Sequence, residues 1–165
     1  VSIQVGDGGW PGCRCRALFE NWAQPVCSPG FLVGRSVTSL DDLRGLRLLR
    51  SQNRRSDWPD WLAAVGRPDF PIDQSEMVEF SNSLLAYQAA VDGLGIAIGH
   101  LPLIGPDIVA KRLQPVLGQP IRQGSYYLVW RSDRDLKRKA RTFQKWLERQ
   151  LCEATLPKGE RQGVE

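Results

Sequence analysis

Helical and extended patterns alternate between residues 38 and 98, and this order predicts an α/β fold built from βαβ units with a largely parallel sheet. Two further observations support that class. The hydrophobic fraction is 42%, enough for a packed core. A long amphipathic pattern over residues 136–152, with Leu136, Ala140, Phe143, Trp146, Leu147 and Leu151 as its apolar stripe, is that of a helix laid on a sheet.

The elements follow in order. Residues 2–5 read as a short strand, broken by Gly6, Gly8, Gly9, Pro11 and Gly12, with Asp7 suited to the turn. Residues 16–22 suggest a second strand, and residues 24–27 a short extended piece between Pro25 and Pro29. Thr38 and Ser39 open a helix with Asp41 and Asp42 in its first turn, and Gly45 closes it. A strand at 47–50 precedes a helix capped by Asp57, in which Trp58, Trp61, Leu62 and Val65 fall at helical spacing. A strand at 76–80 leads into a helix started by Ser81, with Leu84, Leu85, Gln88, Ala89 and Asp92 in its pattern and Gly93 and Gly95 as its stop. Residues 95–99 form a buried strand, and residues 102–113 a short helix broken by Gly105 and Pro106. A β-rich strand covers 126–130, the amphipathic helix follows, and the polar tail with Pro157 and Gly159 is expected to be loose.

Composition narrows the function. No apolar run approaches the roughly 18 residues that cross a bilayer, and no basic-then-apolar leader is visible, so the chain reads as soluble and cytoplasmic with no membrane partner. The net charge of +4 is spread along the chain, with one dense cluster between Arg131 and Arg149, where the charges share the outer side of the amphipathic helix. That pattern is a solvated face rather than a nucleic-acid reading head, and no helix-turn-helix leads into it. Cys13, Cys15, Cys27 and Cys152 lack the paired spacing of a zinc site, and His100 is the only histidine, so no metal and no cofactor are expected. The serine-hydrolase elbow, the phosphate-binding Gly-Lys-Ser/Thr loop and the zinc-binding His-Glu pair are all missing, and no catalytic residue is assigned. The glycines of GLGIAIG lie between a helix and a strand, the wrong order for a dinucleotide-binding turn.

One constellation points to binding. In open α/β sheets, ligands settle beyond the carboxyl ends of the strands. Those ends carry Ser51 after one strand, Phe80, Ser81 and Asn82 after the next, and His100 after the third. Free N–H groups and the positive dipole end at the start of the helix after Phe80 favour an anion or carboxylate. Ser81 as a plain N-cap and Ser81 as a capping residue that also touches ligand are equally open readings. His100 as an ordinary polar strand-end residue is the plainer alternative to a ligand contact, as is a structural Trp10 to one that covers a cleft.

The segments GDGGWPG (6–12) and PVCSP (25–29), the Leu-x-x-Leu of Leu40 and Leu43, and the Trp-x-x-Trp-Leu of Trp58, Trp61 and Leu62 occur in that order. Phe80 to Ser83, the AAxxGLG run from Ala89 to Gly95, YYLV from Tyr126 and the closing Phe-x-x-Trp-Leu of Phe143, Trp146 and Leu147 follow. Their order and spacing resemble the effector-binding domain of LysR-type transcriptional regulators, the glycine-cleavage-activator branch in particular. The resemblance covers residues 1 to about 154.

It implies two Rossmann-like lobes of the periplasmic-binding-protein kind. Residues 1–24 and 115–154 would be what remains of an incomplete first lobe, residues 25–114 a second lobe, and residues 155–165 a loose tail. It implies a small-molecule effector between the lobes, touched by Asp7, Trp10, Ser51, Phe80, Ser81, Asn82 and His100, and the helix start adds the expectation of an anion. DNA would be reached only through an N-terminal domain outside this chain, and the parent would be a homo-oligomer. A periplasmic-type solute binder and an enzyme on the same two-lobed fold are the alternatives.

Overall fold

The computed structural model describes residues 1–155, with side chains to residue 151. The tail expected to be loose lies almost wholly outside the described residues. The chain divides into two compact units, residues 1–20 with 124–165, and residues 21–123.

The larger unit is an α/β sandwich. Its strands are the end of β2 (Cys13–Cys27), β3 (Leu48–Ser51), β4 (Met77–Phe80), β5 (Ile96–His100) and the two-residue β6 (Gln114–Pro115). β3 lies between β4 and β5 and is parallel to both, with Leu48 opposite Met77 and Ile96. β5 then meets β2 antiparallel, Ala23 opposite His100, and β6 pairs with the end of β2. Alternation along the strands builds two cores, one per face. Leu48, Ile96 and Ile98 face Trp58, Trp61 and Leu62 of helix α1 (Asp57–Ala64). Leu49 and Ala97 face Tyr87, Ala89 and Ala90 of α2 (Ser83–Val91) and Ile104 of α3 (Leu101–Val109). This is the predicted α/β class, with a parallel β4-β3-β5 centre.

The smaller unit holds β1 (Ser2–Gly6), the start of β2, most of β7 (Ile121–Arg131) and α4 (Arg138–Thr155). β1 runs antiparallel to β7 with Gln4 opposite Tyr127. Phe19 stacks on Tyr126 at 4.7 Å, and Arg16 pairs with Glu148 at 2.7 Å.

Several local expectations change. The two extended pieces at 16–22 and 24–27 are one strand, because the fixed φ of Pro25 suits extended backbone and costs the ladder only one donor. The helix from Thr38 shrinks to a single 3-10 turn, Leu40–Leu43. Asp42 reaches back to the N–H groups of Thr38 (2.9 Å) and Ser39 (2.8 Å), and Gly45 at φ +73° turns the chain away. Ser56, not Asp57, holds the N-cap position of α1, and Asn82, not Ser81, caps α2 by accepting from the Leu85 N–H at 3.1 Å. The buried face of α2 is Ala86, Tyr87, Ala89 and Ala90, leaving Leu84 77% and Leu85 48% exposed. Helix α3 passes through Gly105 and Pro106 without breaking, losing only the hydrogen bond that Pro106 cannot donate. On α4, Phe143 and Trp146 leave the inner stripe and stack on each other in the open at 5.9 Å, while Ala140, Leu147 and Leu151, and Leu136 just before the helix, stay half-buried.

Candidate functional site

The parallel strands β3, β4 and β5 end together, at Ser51, Phe80 and His100. Ser51 is buried, and its Oγ accepts from the Asn53 N–H at 3.2 Å, opening the 3-10 turn Gln52–Arg54. Phe80 is half-buried against the second core. Ser81 and Asn82 are exposed, and α2 starts at Ser83 with its first N–H groups unpaired within the helix. Leu49, Arg50, Ser51, Asp57, Ser83, Ala86, Tyr87, Ala97 and Ile98 line a narrow cavity of about 10 Å³ here, room for one water molecule.

A buried polar network closes one side. His100 is 0% exposed. Its Nδ1 lies 3.0 Å from Asn21 Oδ1, and its Nε2 lies 2.9 Å from Asp57 Oδ2 and 3.3 Å from an Arg54 guanidinium nitrogen. The His100 backbone N–H donates to the Tyr87 hydroxyl at 3.4 Å. Outside the network, Arg50 and Arg55 hold Glu79 at 2.8 and 3.0 Å. Partial burial pushes the Glu79 carboxyl up, but the two guanidinium groups outweigh it and hold it below its ordinary range.

Thus Ser51, Phe80, Ser81, Asn82 and His100 all belong to the strand-end region of the larger unit, with His100 sealed in rather than open to it. Asp7 and Trp10 belong to the smaller unit, where Asp7 is exposed and Trp10 packs edge-on against Tyr127 at 5.5 Å. Sequence reasoning missed Asp57 and Tyr87, and placed Ser83 at the helix start without naming it as a contact. Asp57 was hidden by its reading as a cap, and Tyr87 by the misplaced face of α2.

The same unit has a wider, open depression of about 490 Å³ beyond the other end of α2, lined by Ser28, Pro29, Gly30, Val91, Asp92, Gly93 and Arg112. Among the described residues no three His, Cys, Asp or Glu side chains gather as a metal site would need, and no helix is long and apolar enough to cross a membrane.

Comparison with known proteins bears directly on this architecture. The HTH-type transcriptional activator AmpR of Rhodobacter capsulatus is 33% identical over 153 residues, which cover 93% of this chain and 51% of the relative. The glycine cleavage system transcriptional activator of Escherichia coli K12 is 31% identical over 149 residues, covering 89% and 48%. The chain therefore spans about half the length of the curated relatives it matches. Among solved structures, the effector domain of AmpR from Pseudomonas aeruginosa superposes with a TM-score of 0.75 at 27% identity, over 92% of this chain and 72% of that one. The AmpR effector binding domain from Citrobacter freundii gives 0.76 at 26%, over 92% and 74%. Both carry the two-lobed fold that the resemblance implied. Residues 1–152 match the family described as the LysR substrate binding domain, and the chain belongs to that family.

Proposed function

We propose that the chain is the effector-sensing half of a LysR-type transcriptional regulator, and that a small anionic metabolite binds at the strand ends of the larger unit, over the one-water cavity rather than inside it. The observation that carries this reading is the convergence of Ser51, Ser83 and Tyr87 where three parallel strands stop and α2 begins. The first-turn N–H groups that Asn82 does not cap, together with the helix dipole, favour a carboxylate or phosphate. Phe80, Ser81 and Asn82 are kept in the proposal because they join the end of β4 to the start of α2, and Asp7 and Trp10 on the resemblance alone. The site binds without catalysing a reaction.

Binding favours one of two conformations of the domain, and the shift is read by a DNA-binding domain elsewhere in the full regulator. The parent is a cytoplasmic homo-oligomer, as befits a protein that acts on a promoter. These statements draw their support from the relatives, which are named as transcriptional activators.

Thermal shift of the chain against a panel of monocarboxylates, dicarboxylates, amino acids and sugar phosphates tests the reading. A ligand at 100 times its Kd adds about 2.7 kcal/mol. Ser83→Asp puts a negative charge in the first turn of α2, where it suits the dipole and repels an anion. The variant is expected to keep its Tm without ligand and to lose the shift. An undiminished shift in Ser83→Asp contradicts the anion reading, and no shift with any panel member contradicts the site.

A further inference from the structure

The larger unit begins at Asn21 and ends at Gln123, and these two residues are joined. The Asn21 side-chain amide donates to the Gln123 carbonyl at 3.1 Å. That bond fixes the amide's orientation and turns its Oδ1 toward His100 Nδ1, so the ring nitrogen is the donor in the 3.0 Å contact. The other edge of the same ring faces Asp57, which lines the strand-end cavity, and Arg54. One buried imidazole thus touches the candidate site with one nitrogen and, with the other, the pair of residues through which the chain enters and leaves the unit.

We propose that His100 is a positioning residue that couples the strand-end site to the two crossings between the units, through Asp57 on one side and Asn21 with Gln123 on the other. The inference rests on the reading of the strand ends as the effector site, and it reassigns His100 from a ligand contact to the link behind the contacts. Burial supports the reassignment, since a ring with no exposed surface and partners at both nitrogens is placed to pass on a displacement rather than to meet a solute. A second observation lies at the far end. The Gln123 side-chain nitrogen is buried with no hydrogen-bond partner among the described residues. An unpaired buried donor costs stability, so an arrangement of this crossing that gave it an acceptor would recover that cost. A ligand that moves Asp57 would then bias the choice between arrangements through the ring.

The test is a double-mutant cycle read by amide hydrogen exchange on the full chain, with no effector present. Asp57→Asn weakens the contact at the site end. It is expected to change exchange at amides of residues 21–24 and 121–124 about fivefold or more, relative to amides inside α1. In His100→Phe, which keeps a ring and removes both nitrogens, the added Asp57→Asn change is expected to leave those amides unaltered. If His100→Phe does not fold, Asn21→Ser cuts the link at its other end and is expected to abolish the same response. A merely structural His100 would lower protection everywhere and leave the Asp57→Asn effect unchanged. Either that additivity, or the lack of any response to Asp57→Asn at the crossings, overturns the proposal. Failure of every metabolite to stabilise the chain would sink the site reading and leave this coupling intact, so the two failures are told apart.

Discussion

Trp58 and Trp61 sit one turn apart on α1, each 1% exposed, with ring centroids 6.2 Å apart in an edge-to-face pair. Their indole N–H groups differ. Trp58 Nε1 donates to the Leu49 carbonyl at 3.1 Å, whereas Trp61 Nε1 is buried with no partner among the described residues. Substituting either by Phe removes roughly 50 Å² of buried apolar surface, about 1.3 kcal/mol at 25 cal/mol per Å². For Trp58→Phe a net hydrogen bond worth about 0.5–1.5 kcal/mol goes as well, so the total comes to roughly 2–3 kcal/mol. For Trp61→Phe the lost area is offset by removing a buried donor that costs about 1–3 kcal/mol to leave unpaired. Its expected effect runs from about 0.3 kcal/mol of destabilisation to about 1.7 kcal/mol of stabilisation. Urea unfolding followed by far-ultraviolet circular dichroism measures both. A Trp61→Phe penalty equal to or above that of Trp58→Phe would refute the reasoning.

Three other outcomes follow from the same geometry. Asn82→Ala should destabilise the chain by about 1 kcal/mol and Ser81→Ala by much less, since Asn82 holds the cap of α2; thermal unfolding of the two variants decides between them. The Glu79 carboxyl lies below its ordinary value of 4.5 when folded, so its contribution is present above that value and is lost as the pH falls through the lower, folded one. Replacing both arginines, Arg50→Met with Arg55→Met, should flatten the acid limb of a stability–pH curve, and an unchanged limb would show the ion pairs to be inert. Burial pushes the Cys27 thiol up to about 11, so in the native state it should resist alkylation at pH 8 while Cys13 and Cys15 react, which peptide mass mapping reads directly.

The fold class was legible because its signals are redundant. Leu48 with Leu49, and Ile96 to Ile98, are apolar on consecutive residues, as a strand covered on both faces must be, and helical patterns separate them. The family was legible through the order of short segments, none of which is specific alone. Boundaries were not. Ser81, Asn82 and Ser83 are all competent caps, and only backbone geometry chooses Asn82. The buried face of α2 was misplaced because Leu84 and Leu85 are more apolar than the Ala and Tyr residues that pack inside, so hydrophobicity pointed to the wrong side. The partnership of Asn21, Asp57 and His100 spans 79 residues and joins a strand, a helix start and a strand end, which no local pattern can encode.

The most direct test of the effector-site account is an amide chemical-shift map of the larger unit, recorded while the best-stabilising carboxylate or phosphate of the panel is titrated in. The account predicts that the largest changes fall on Ser51 to Asn53, on Asn82 to Leu85 in the first turn of α2, and on His100. Changes centred instead on Ser28 to Gly30, Asp92 and Arg112, around the wide depression at the opposite end of α2, would contradict it.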